Sequence, residues 1–226
     1  MISIYSSAVR TELWMPLYKN LSQNNVPIEL VFCGNKKPDF ELPSNFKFIY
    51  SEVKPAQCFY IAFISTVGKY VLNISDDLKF SPHALDKMLH IIKTSNRKTI
   101  VSPTYYRRRK PILFRFDGKL IPVCSLISRK LWNRLGGPDR RFQSSFWDHD
   151  MALRLYAIGG TVKVCKEARV QVLRARKASR KKITDKKTIL KLWWEDFGDQ
   201  KILTKKRKLS FLPLKLTNDI LTKNQN

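Results

Sequence analysis

No stretch of the chain approaches the run of about 18 apolar residues that a membrane-spanning helix requires. The first residues, Met1-Ile-Ser-Ile-Tyr-Ser-Ser, lack the basic-then-apolar order of a secretion signal. A cytoplasmic protein is expected, at most peripheral at the inner membrane face or working in a virus-infected cell. Acidic residues are scarce, 18 against 43 Lys and Arg, for a formal charge of +25. Histidines number three and are scattered, so no zinc-type cluster can be assembled from local spacing. The four cysteines, Cys33, Cys58, Cys124 and Cys165, stand singly with no C-x-x-C pair, as buried reduced thiols do. Only eight glycines occur, and none forms a Walker loop, a G-x-G-x-x-G or a G-x-S-x-G element. P-loop, dinucleotide-binding and α/β-hydrolase chemistry are thereby excluded.

What the chain does have is basic charge and a good supply of apolar residues, 43% of 226. That is enough for one core and a tail. Such an excess of cations points to a polyanionic partner, because nucleic acid, anionic lipid and acidic polysaccharide all gain from counterion release or surface potential. A solvated Lys-rich surface is the plainer explanation.

Short apolar runs alternate with helical patterns, which predicts an α/β fold with a mostly parallel sheet. Strands are expected at residues 2–6, 29–33, 46–50, 70–74, 99–102 and 122–127. Helices are expected at 12–23 and 56–66, and from a Ser81 cap with Pro82 in the first turn to about Lys93. Another runs from Asp148 to the Gly159-Gly160 stop, with Met151, Leu155 and Ile158 on one face. Residues 1–175 are expected to form one domain, and 176–226 a basic, aromatic-containing extension.

Two acidic pairs could carry chemistry. Asp76 and Asp77 end an apolar strand, where ligands bind in open α/β sheets. Adjacent carboxylates repel, so they serve either a divalent cation or a solvated turn. Asp148 and Asp150 open a helix, where acids are ordinary dipole partners and that role is the first reading; a catalytic base is the alternative. His149 between them reads as a helix-surface residue.

In order and spacing, four elements resemble the family-two glycosyltransferases with the nucleotide-diphospho-sugar transferase (GT-A) fold. They are Lys54-Pro-Ala-Gln-Cys through Gly68-Lys-Tyr-Val-Leu, Ser75-Asp76-Asp77 followed by Ser81-Pro82, Leu131-Trp-Asn-Arg-Leu-Gly-Gly-Pro-Asp, and Trp147-Asp-His-Asp-Met-Ala-Leu. The second occupies the place of that family's D-x-D motif and the fourth that of its Glu-Asp helix. The resemblance runs from about Ile2 to Val172.

It implies inverting sugar transfer from a nucleotide-diphospho-sugar, most simply a UDP-sugar, onto an acceptor hydroxyl. Asp77 would hold Mn2+ or Mg2+ against the diphosphate, and Asp76 would support the ion or the ribose. Asp148 would be the general base, with Asp150 positioning the acceptor or the helix. Ser6, Ser7, Gly34, Lys54 and Gln57 fall where the family cradles the nucleotide. The chain departs from the pattern at Ser75 and Trp147, each in place of an acid, and it lacks the family's late metal-site His; Arg174 or Arg176 is expected to reach the diphosphate instead.

Acceptor contacts are expected from Arg107, Arg108, Arg109, Trp147, Arg174 and Arg176. Basic clusters beside Tyr105 and Tyr106 favour DNA, in particular a hydroxymethylated base, as the acceptor. Trp193, Trp194, Phe211 and Leu212 between lysines fit an anionic membrane or glycolipid instead. A polyanion-binding protein that has lost catalysis is the third alternative.

Overall fold

The computed structural model describes residues 1–107, 110–116, 118–173, 185–197 and 200–203. The chain opens with β1 (Ile2–Ser7), a short 3-10 turn at Thr11–Leu13, α1 (Trp14–Leu21), β2 (Ile28–Gly34) and β3 (Phe46–Tyr50). It continues through α2 (Pro55–Ile64), β4 (Tyr70–Asn73), β5 (Leu78–Phe80), α3 (Ala84–Thr94) and β6 (Thr99–Arg107). Short strands follow, β7 (Lys110–Ile112), β8 (Phe114–Phe116), β9 (Lys119–Ile121) and β10 (Leu126–Ser128), and then helices α4 (Arg129–Leu135) and α5 (Trp147–Ala157). The last described elements are β11 (Thr161–Val172), α6 (Lys186–Trp193), β12 (Trp194–Phe197) and β13 (Gln200–Leu203).

One curled sheet in the order β3-β2-β1-β4-β10-β6-β11-β5, with β7 added on β6, is flanked by six helices. β3, β2, β1 and β4 run parallel. β10 enters antiparallel to both β4 and β6, and β11 returns parallel to β6. In the parallel half, β1 is buried from Ile2 to Ser6 and β2 from Glu29 to Gly34, whereas β3, at the sheet edge, leaves Lys47 and Tyr50 exposed. Where these strands lie closest the side chain must vanish: a Cβ at Gly34 would collide with the carbonyl oxygen of Ala8.

Several expected elements change in detail. β10 begins at Leu126 rather than 122, and β5, three residues long, is too short for its period to register. β11 is absent from the expected strands because the irregularity between Cys165 and Arg169 breaks its alternation. β5 closes the sheet, and the Asn20 side chain completes its free edge, donating to Phe80 O at 3.0 Å and accepting the Phe80 N–H at 2.7 Å. Ser81 does not cap α3. It pairs across the sheet with Arg169, giving its N–H to Arg169 O at 2.8 Å and accepting the Arg169 N–H at 3.0 Å, so the helix starts at Ala84 behind a left-handed His83.

Ile189 and Trp193 of α6 are buried in the cluster that contains Leu131, Trp132, Phe142 and Met151. Trp193 is therefore a core residue, unavailable to an interfacial membrane segment. Its Nε1–H is donated to Asp150 Oδ1 at 2.8 Å. Asp150 Oδ2 pairs with Arg154 Nη2 at 2.9 Å, one helical turn away and with both side chains fully buried. Arg154 also donates to Leu135 O and, at 2.7 Å, to Gly137 O, so it caps the C-terminus of α4. Burial pulls the Arg154 pKa down, opposed by Asp139.

Removing one member of a buried ion pair leaves the other uncompensated. Asp150→Ala is expected to lower unfolding free energy by about 3–5 kcal/mol, read from the denaturant midpoint. Asp150→Ala combined with Arg154→Met should recover much of that loss.

Candidate functional site

The carboxyl ends of β1, β2 and β3 and the N-terminus of α2 enclose a cleft of about 280 Å3. Ser7 and Val9 line it from β1, Gly34 and Asn35 from β2, and Lys54 and Cys58 from α2. Of the residues expected to cradle a nucleotide, Ser7, Gly34 and Lys54 are thus at the cleft. Ser6 is fully buried and donates its hydroxyl to Ile74 O at 2.9 Å, so it fastens β1 to the end of β4. Gln57 is occupied in capping α2: its Oε1 accepts the Lys54 N–H at 3.1 Å and its Nε2 donates to Arg140 O at 3.3 Å.

Asp76 and Asp77 divide their work. Asp76, 1% exposed, accepts the backbone N–H groups of Val9 at 2.7 Å and Arg10 at 2.8 Å on Oδ2, while Oδ1 takes the Arg10 guanidinium. Both oxygens are spent on holding the loop after β1. Asp77 is more open: Ser75 Oγ donates to its Oδ1 at 2.6 Å, and Arg10 Nη2 lies 3.4 Å from Oδ2. Its carbonyl accepts the Leu173 N–H at 2.7 Å, which links this turn to the end of β11.

A divalent ion would therefore find one available carboxylate here, Asp77, and no second ligand from Asp76. Among the described residues no group of three or more His, Cys, Asp or Glu side chains is placed to hold a metal. The donor set fits a single-carboxylate site completed by ligand oxygens, and does not fit the two-carboxylate site expected of the pair.

Asp148 stands in the first turn of α5. Its Oδ1 accepts both the backbone N–H of His149, at 2.9 Å, and the His149 ring at Nδ1, at 2.8 Å. Oδ2 has no partner among the described residues and remains available for a proton. His149 is itself wedged between Phe116 and Phe146, with ring centroids at 5.2 and 4.9 Å. It is a partner of the carboxylate rather than the helix-surface residue its position suggests. Trp147 is turned inward, 5% exposed and packed on Phe59 at 4.7 Å, so it is a core residue rather than an acceptor contact.

Cys124, fully buried just before β10, has its thiol pKa pushed up by burial and then by the negative charges of Asp77 and Asp148.

A further acid shapes this region from the C-terminal side. Asp185 Oδ2 accepts three successive backbone N–H groups, from Gln143, Ser144 and Ser145, at 3.1, 2.8 and 2.9 Å. That loop touches the cleft through Ser144 and leads straight into α5, so Asp185 helps set where Asp148 stands. Arg10, His149 and Asp185 are the residues that sequence reasoning missed. Only Arg10 had a signal, as a lone cation beyond the first strand. Asp185 lies in a basic stretch where one acid reads as noise.

Of the expected acceptor contacts, Arg107 ends β6. Arg108, Arg109, Arg174 and Arg176 lie outside the described residues.

No family model matches the chain, and no curated protein matches it significantly. Solved structures do. S. aureus TarS residues 1–349 are similar with a TM-score of 0.58 at 13% identity, over 76% of this chain and 60% of that one. The same TarS fragment in complex with UDP gives 0.57 at 14%, with equal coverage. A further TarS structure gives 0.57 at 13%, with 36% of its chain covered. The protein thus spans about 60% of the shorter TarS chain, and the likeness shows a GT-A-like glycosyltransferase fold.

The division of labour between the adjacent acids is testable. Asp76→Ala is expected to cost about 3 kcal/mol, because it strands buried N–H groups and the Arg10 cation. Asp77→Ala should cost less, about 1 kcal/mol for the lost Ser75 hydrogen bond. Equal melting losses in the two variants would contradict the assignment.

Proposed function

We propose that the protein is a glycosyltransferase that moves a sugar from a nucleotide-diphospho-sugar to an acceptor hydroxyl with inversion. The observation that carries this reading is a cleft at the carboxyl ends of parallel strands, in a fold that also sets Asp77 on the turn after β4 and leaves Asp148 Oδ2 without a partner among the described residues in the first turn of α5. The GT-A-like fold supports it, and so does the UDP bound to the TarS fragment, which makes a UDP-sugar the preferred donor here.

In this mechanism the nucleotide occupies the cleft between Ser7, Gly34 and Lys54, and its diphosphate points toward Asp77 and Arg10. Asp148 Oδ2 accepts the proton of the acceptor hydroxyl as that oxygen attacks the anomeric carbon. The bond from that carbon to the diphosphate oxygen breaks on the opposite face, and the nucleoside diphosphate leaves with its electron pair. His149 fixes Oδ1 and so presents Oδ2 to the acceptor. Arg10, tethered by Asp76, supplies positive charge to the leaving diphosphate. Mn2+ or Mg2+, held by Asp77 and by the donor's own oxygens, would add Lewis-acid neutralisation of the leaving group when bound. Asp150 serves by seating α5 rather than by touching substrate.

The +25 charge supports a polyanionic acceptor, with a hydroxymethylated base in DNA preferred. An anionic membrane glycolipid is the second reading. It is favoured by Leu113 and Phe114, 53% and 39% exposed, which sit among Lys110 and Arg115 on the β7 and β8 excursion.

Purified protein with a panel of nucleotide sugars is expected to release nucleoside diphosphate slowly without acceptor and faster with hydroxymethylated DNA. Asp148→Asn should lower transfer at least about 100-fold, as loss of a general base does, with unchanged melting. Chelation followed by Mn2+ addition reads the metal requirement, which Asp77→Asn should weaken. Stimulation by anionic vesicles alone would move the acceptor to the membrane. No turnover with any donor would leave a binding protein on this scaffold.

A further inference from the structure

A second cavity, of about 410 Å3, lies along the sheet edge formed by β5, β11 and β6. It is on the face opposite the core: Leu78, Phe80 and Val170 point inward and are buried, whereas Lys79, Arg169 and Gln171 are exposed. Register brings its chemistry together. Lys79 pairs with Gln171, and Gln171 pairs with Tyr106, so an ammonium, an amide and a phenol form one row across three strands.

One pleat further along β11, the Arg169 guanidinium lies over the Tyr106 ring, 5.7 Å from its centroid. The Arg169 backbone is pinned by its two hydrogen bonds with Ser81. Stacking holds a guanidinium flat and leaves its N–H edge pointing outward. Neither Lys79 nor Arg169 has a carboxylate partner among the described residues, and no acid lines the cavity. Two unpaired cations and an aromatic ring in a concave, acid-free groove are what a backbone phosphate with a neighbouring base or sugar requires.

The groove also lies at a useful distance from the reaction centre. β5 starts at the residue after Asp77, so Lys79 is two residues on, about 7 Å along an extended strand. A strand whose reacting nucleotide sits between Asp77 and Asp148 would carry an adjacent phosphate to this row. A bilayer surface suits the groove poorly, because the protruding apolar side chains it would need, Leu113 and Phe114, are not part of the lining.

We propose that the Lys79–Tyr106–Arg169 groove binds the phosphodiester backbone of a nucleic-acid strand; its role as the acceptor subsite rests on the glycosyl-transfer reading. The test is fluorescence anisotropy of the full chain with a labelled single-stranded oligodeoxynucleotide across a salt series. Lys79→Ala with Arg169→Ala is expected to weaken binding about tenfold at 0.1 M salt and to lower the slope of log affinity against log salt by about 1.4, the single-strand value for two phosphate contacts. Tyr106→Leu should weaken binding without changing that slope.

Lys163→Ala with Lys166→Ala, exposed on the same strand, removes equal charge and is expected to change affinity less than threefold. Equal losses from the two charge-removing pairs would overturn the proposal, since general electrostatics would then suffice. So would wild-type protein that binds anionic vesicles but no oligonucleotide. Nucleotide-sugar turnover by the wild-type chain is measured separately. Groove-dependent binding without any turnover would remove the reaction and still support the nucleic-acid site.

Discussion

A carboxylate taken out of water must be met by charge and by hydrogen-bond donors, and Asp150 is the residue around which this fold satisfies that demand. Its two oxygens meet Arg154 from the same helix and Trp193 from α6. Arg154 carries the connection on to the carbonyls at the end of α4. Three helices are thereby referred to one buried ion pair, and the first turn of α5, which bears Asp148, cannot shift without breaking it. Such pairs contribute little net stability against an apolar replacement. Their value here is in fixing one arrangement of the helices.

Asp76 applies the same logic at the opposite wall of the site. Its carboxylate gathers two backbone N–H groups and a guanidinium from the loop after β1, which sets that loop against the end of β4. Arg10 is held where a leaving diphosphate would develop charge. Asp185 does for the loop before α5 what Asp76 does for the loop after β1, by accepting three consecutive N–H groups. Three buried or nearly buried acids thus act as scaffolding for the two open ones. In a chain with 43 basic and 18 acidic residues, a sizeable share of the scarce negative charge is committed to this one region. Among the described residues, Lys79 and Arg169 are exposed and have no carboxylate partner.

The fold was largely legible. Short, mostly apolar segments at residues 2–6, 29–33 and 46–50 became the parallel strands β1, β2 and β3, with β1 and β2 buried and β3 half-exposed at the sheet edge. The helix from 147 and its Gly-Gly stop were legible for the same local reason, a 3.6-residue period ending where left-handed backbone begins. β5 and β11 were not. One is three residues long, and the alternation of the other is interrupted by the irregularity between Cys165 and Arg169, so neither presents a sustained period. α6 was read as part of a tail because its flanks are basic, yet Ile189 and Trp193 are spaced to bury one face.

By itself, the sequence determined where the acids are: two pairs, one ending a buried strand and one opening a helix, at the places where α/β proteins put their chemistry. It also determined the charge that any partner must balance. Only the tertiary structure decided which member of each pair is spent and which is free. Asp76 and Asp77 are neighbours in the chain, but the groups that consume Asp76 come from 66 and 67 residues away. Asp150 differs from Asp148 because Trp193, 43 residues on, folds back beneath it. A side chain's availability depends on what surrounds it once the core closes, and those surroundings are assembled from parts of the chain that no local pattern connects.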